Sequence, residues 1–115
     1  MTEERGNERT YLREASIKLR KRRVKDGTPV GEPMTDPDQV YELFSDLQNE
    51  GKEKLIVIAL DIKLKIICFE VVAVGSVRAA YAKPAEIIRV PIAMGAEAIV
   101  LVHNHPSGDP TPSKA

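Results

Sequence analysis

The chain has 115 residues, enough for one compact domain and too few for two. A hydrophobic share of 43% with only 4% aromatics calls for a single, mainly aliphatic core and argues against a disordered chain. The 17 basic and 17 acidic residues cancel, which excludes a strong overall field toward nucleic acid or an acidic substrate. Residues 1–30 nevertheless stand at +4 and the remainder at −4, so any polyanion contact falls to the N-terminal end.

The lone cysteine, Cys68, excludes an internal disulfide and a thiolate metal cluster. No hydrophobic leader follows Met1, and the apolar runs fall short of the roughly 20 residues of a membrane helix. A soluble protein of a reducing compartment, the cytoplasm, without a membrane partner, is expected.

In chain order, residues 1–10 are polar and charged with a glycine, and residues 1–14 are expected to form a flexible start to a domain spanning 15–115. The run Ala15–Val24 sets Ile17 and Leu19 against Lys18 and Arg20, which predicts a half-exposed edge strand protected by its charges. Gly27, Pro29, Gly31 and Pro33 then mark a loop. Thr35 or Asp36 can cap a helix that begins near Pro37, carries Val40, Leu43, Phe44 and Leu47 on one stripe, and ends at Gly51.

Residues 55–61 and 66–75 are β-rich runs about a short turn region, 62–65, and predict an antiparallel hairpin in the middle of a sheet. Pro84 opens a second helix to about Met94, with Ile87, Ile88, Pro91 and Ile92 expected inward and Gly95 as its stop. Residues 98–102, AIVLV, predict a buried strand. The order predicts an α/β or α+β architecture in which helices cover a mixed sheet.

That last strand runs into HNHPSGDPTPSKA, which holds both histidines of the chain, His103 and His105. Positions i and i+2 of a strand share a face, about 6–7 Å apart, so two imidazoles can converge on one ion. Paired histidines can equally bond loop carbonyls at a strand end, and spacing alone leaves both readings open. Pro106, Gly108, Pro110 and Pro112 predict a rigid turn, after which Thr111 or Ser113 can cap a new helix.

HNHPSGDPTPS resembles the signature of the RadC-type JAB domain, a bacterial branch of the JAMM/MPN metalloprotease superfamily. That motif is an upstream Glu, then His-x-His, seven residues, Ser, two residues and Asp. His103, His105 and Ser113 match it in identity and spacing, and the Asp would fall immediately after Ala115. EKLIVIALD, residues 53–61, and VGSVRAAYAKPAEII, residues 74–88, extend the resemblance. It implies a mixed sheet flanked by helices in a cytidine-deaminase-like JAB/MPN fold.

The resemblance also implies chemistry. Zinc would take His103, His105 and the Asp beyond Ala115, with a water in the fourth position. Glu53 would accept that water's proton and share a cleft with His103 and His105; read from composition, it is a solvated charge in GKEK. Ser113 would donate to the developing oxyanion, a role compatible with capping a helix. The implied function is a metallopeptidase or isopeptidase acting on a protein or peptide, with chain 1–115 by itself expected to bind zinc weakly and lack activity. The family's DNA-repair label implies an alternative, an accessory or nucleic-acid-binding protein with a non-catalytic metal site.

Three further features have plainer readings. Asp109 lies near both histidines, but Gly-Asp-Pro marks a turn whose Asp bonds backbone amides. Cys68, inside IICFEVV, reads as a small buried hydrophobe. Arg9 to Lys25 holds eight Lys/Arg and one Glu, which suits nonspecific phosphate contact or a solvated strand face. The letters HNH do not by themselves indicate an HNH nuclease, whose signature is dispersed.

Overall fold

The computed structural model describes residues 10–45, 51–75, 79 and 81–104. Its elements run α1 Pro37–Leu43, β1 Lys54–Leu60, β2 Ile66–Val74, α2 Pro84–Ala93 and β3 Ala98–His103. The strands form one sheet in the order β2-β1-β3. Both pairings are antiparallel, so the described part of this α+β fold lacks the parallel pairing that a mixed sheet requires.

β1 is central because its side chains are apolar on both faces, the pattern of a strand covered above and below. Ile56, Ile58 and Leu60 point to one side and pack with Val40 of α1 and Phe44 at its C-cap, Phe69 and Val71 from β2, and Val100 and Val102 from β3. Phe44 meets Phe69 edge-on, ring centroids 5.0 Å apart, a geometry that aligns ring edge with ring face. Val57 and Ala59 are buried on the opposite side. There α2 packs on β1 and β2, and Arg89 reaches Glu70, the strand partner of Val57. The sheet is therefore layered between two helices.

α1 starts where the sequence predicts. Asp36 is its N-cap, its carboxylate accepting from the Asp38 N–H, and the Gln39 side chain accepts from the Asp36 N–H to complete a capping box. The helix ends at Leu43, well before Gly51; Leu47 lies outside the described residues. α2 ends in a Schellman turn: the Ala96 N–H donates to the Pro91 carbonyl (2.9 Å) and the Gly95 N–H to the Ile92 carbonyl (3.1 Å). Gly95 stands there at φ 70°, a conformation open to glycine.

Three expectations are corrected. Residues 11–24 form no strand; they carry no regular secondary structure, and Ile17 and Leu19 are exposed. Alternation makes a strand only when a neighbour supplies hydrogen bonds, and among the described residues the ladders join β1 to β2 and to β3 alone. On α2, Ile88 and Ile92 are exposed while Pro91 is buried and Ile87 half-buried. Ile87 and Pro91 share an i, i+4 row on the sheet side, whereas Ile88 and Ile92 lie about 100° further round. β3 is half-buried, and on one face only, because α2 sits over β1 and β2 and leaves Ile99 and Leu101 accessible.

The β1–β2 turn carries local strain. The Asp61 carboxylate accepts from the Lys63 and Lys65 N–H groups (2.8 and 2.9 Å), and Leu64 takes φ 63°. An L-residue with a Cβ loses about 1–2 kcal/mol in that region, and Asn tolerates it far better. Leu64→Asn is expected to stabilise the fold by about 1 kcal/mol, read as a higher urea midpoint at unchanged m-value. A lower midpoint would show that the Leu64 side chain contributes more than its backbone costs.

Candidate functional site

The site forms where β1 begins and β3 ends, because antiparallel pairing brings those two ends together. Leu55 is the partner of His103, so Glu53, two residues before Leu55, falls on the same face as the imidazole. The Glu53 Oε2 and His103 Nε2 atoms are 3.4 Å apart, both side chains partly shielded from solvent. The His103 Nε2 atom itself is buried. The sheet thus unites two residues that lie 50 positions apart in sequence.

The Glu53 main chain is held from both neighbouring strands. Its carbonyl accepts from the Gly75 N–H at 2.6 Å, just beyond β2. From the β3 side, Asn104 bonds the residues on either side of Glu53: its Oδ1 accepts from the Lys54 N–H, and its Nδ2 donates to the Lys52 carbonyl at 3.2 Å. The Asn104 N–H also donates to the Lys54 carbonyl at 3.2 Å. Asn104 is only 6% exposed and is the buried polar residue among those described. It was not among the residues singled out in the sequence, because its spacing does not show which backbone groups of a strand 50 residues away it will reach.

His105, Asp109 and Ser113 lie outside the described residues. Among the described residues no three His, Cys, Asp or Glu side chains group closely enough to hold a metal ion. The donor chemistry present fits zinc in kind, since an imidazole nitrogen is an ordinary zinc ligand and a carboxylate beside it suits proton transfer.

Cys68 stands apart from this pair. It is paired with Ala59 on β1, and burial, followed by the nearby Glu70 carboxylate, pushes its thiol pKa up. A thiol so placed is a poor nucleophile at neutral pH, in keeping with a packing role.

The chain matches the family described as RadC-like JAB domain over residues 34–115, more than two thirds of its length. The chain belongs to the RadC-like JAB domain family. Among curated relatives of this JAB domain, a UPF0758 protein of Caldanaerobacter subterraneus is 40% identical over 82 residues, 70% of this chain and 35% of the relative. One from Aquifex aeolicus is 36% identical over 78 residues, 68% of this chain and 34% of the relative. A third, from Xanthomonas oryzae, is 35% identical over 102 residues, 88% of this chain and 45% of the relative. The chain spans between about a third and a half of the length of these relatives. No described helix of the JAB domain is long and apolar enough to cross a membrane.

Proposed function

We propose that this JAB domain contributes the metal and proton-transfer residues of a zinc-dependent metallopeptidase or isopeptidase of the JAMM kind. The observation that carries the reading is the 3.4 Å approach of the Glu53 carboxylate to the His103 imidazole. His103 and His105 would hold the ion. Zinc, when bound, supplies Lewis acidity that brings the pKa of a coordinated water near neutrality. Glu53 accepts a proton at its carboxylate as the amide is attacked and passes it to the departing amine nitrogen. Ser113 donates a hydrogen bond toward the oxygen on which charge develops.

The substrate class is a protein or peptide amide, of main-chain or isopeptide type. The test is zinc content of the full-length protein measured beside chelator-sensitive cleavage of peptides and of ubiquitin-like conjugates. Stoichiometric zinc with cleavage that chelation abolishes and zinc restores is the expected result. A zinc-loaded protein inert toward both substrate types would overturn the reading.

A second reading, phosphate contact with nucleic acid in an accessory role, is favoured by the exposed basic residues of the segment 13–25. Binding of single-stranded DNA by the same preparation, weakening steeply with added salt, would support it. Binding that is absent at low salt would remove it.

A further inference from the structure

Glu53 lies one residue outside β1, where a strand end ordinarily frays. Its carboxylate nevertheless meets a histidine on another strand, which requires that the main chain before Lys54 be held as firmly as the ladder itself. A carboxamide carries one acceptor oxygen and a donor nitrogen, the hydrogen-bonding equivalent of a peptide group on a side chain. Asn104 uses both on the two residues flanking Glu53, accepting from the Lys54 N–H and donating to the Lys52 carbonyl. Its own N–H adds a third bond, to the Lys54 carbonyl. The buried Asn104 side chain therefore continues the β1–β3 ladder past its last backbone pair, Leu55 with His103.

We infer that Asn104 is a positioning residue, whose carboxamide sets where the Glu53 carboxylate stands relative to His103. It acts through the main chain on both sides of Glu53, by its bonds to Lys52 and Lys54. His103 and Asn104 are consecutive, so one strand end supplies a candidate metal ligand and the anchor of the candidate proton acceptor. A shift of that strand end carries both groups together. The consequence for hydrolysis rests on the reading of Glu53 as proton acceptor, while the positioning itself does not.

The experiment is imidazole nitrogen NMR on the metal-free, isotope-labelled protein at one fixed pH, with Glu53→Gln, Asn104→Ala and Asn104→Leu compared with the parent. Glu53→Gln is expected to move the His103 signals. Each Asn104 variant is expected to move them by more than about half as far, and to add little when combined with Glu53→Gln, since residues acting through one contact are not additive. Leucine shares asparagine's heavy-atom count and branching at Cγ without its hydrogen-bonding groups, and keeps the site filled should the alanine variant fail to fold. Phe69→Leu, a core change on the other face of the sheet, lowers stability and should leave the His103 signals in place, which separates positioning from general loosening. His103 signals unmoved in the Asn104 variants, or movement that simply adds to that of Glu53→Gln, would overturn the inference, as would Glu53→Gln leaving them unmoved. Failure of zinc binding or of amide cleavage would remove the peptidase reading and leave this result standing.

Discussion

Replacing Glu53 by Gln in the full-length protein is expected to leave zinc bound and to slow amide hydrolysis by roughly a hundredfold to ten-thousandfold. The substitution keeps the size of the side chain, and the main chain of residue 53 retains its bond from the Gly75 N–H. The Asn104 bonds to Lys52 and Lys54 are also independent of the residue 53 side chain. What is lost is an oxygen able to take and return a proton, so the effect falls on kcat more than on binding. Zinc stoichiometry and kcat/KM, measured on the same preparation, check it. Unchanged turnover would show that another group accepts the proton and that the approach of Glu53 to His103 is structural.

The second large effect is on stability. Ile58 is fully buried in the central strand, opposite Phe69 on β2 and Val100 on β3, both of which pack into the same cluster. Truncation to Ala removes that contact area and leaves a cavity walled by two strands and α1, which cannot close without disturbing both ladders. A cost of about 2–5 kcal/mol is expected, the range for large-to-small changes in a core. Against a total stability of roughly 5–15 kcal/mol, that is enough to populate the unfolded state under mild denaturant. Urea unfolding of the two proteins measures it, and a loss below about 1 kcal/mol would mean that the neighbours collapse into the space.

Much of the local structure was legible in the residues. Asp36 and Pro37 start α1 because a carboxylate can cap free N–H groups and a first-turn proline sacrifices no helical hydrogen bond. LIVIAL and IICFEVVAV are strands because long apolar, β-branched runs suit a covered sheet, and the five residues between them close a hairpin. The motif register named His103 and Glu53, and the antiparallel pairing of β1 with β3 places them side by side. The readings that failed each depended on a neighbour. Residues 15–24 alternate like a strand, yet alternation states only which side chains share a face.

The sequence by itself therefore determined the family, the helix starts and the strands of the hairpin, all of which follow from local chemistry or a short motif. Tertiary structure alone decided that β1 lies between β2 and β3, that Ile88 and Ile92 face away from the sheet, and that β3 is covered on one side. It also decided the part of Asn104, which no propensity or spacing reveals. A carboxamide's role depends on which backbone groups come within its reach, and those of Lys52 and Lys54 arrive only when strands 50 residues apart in sequence pair.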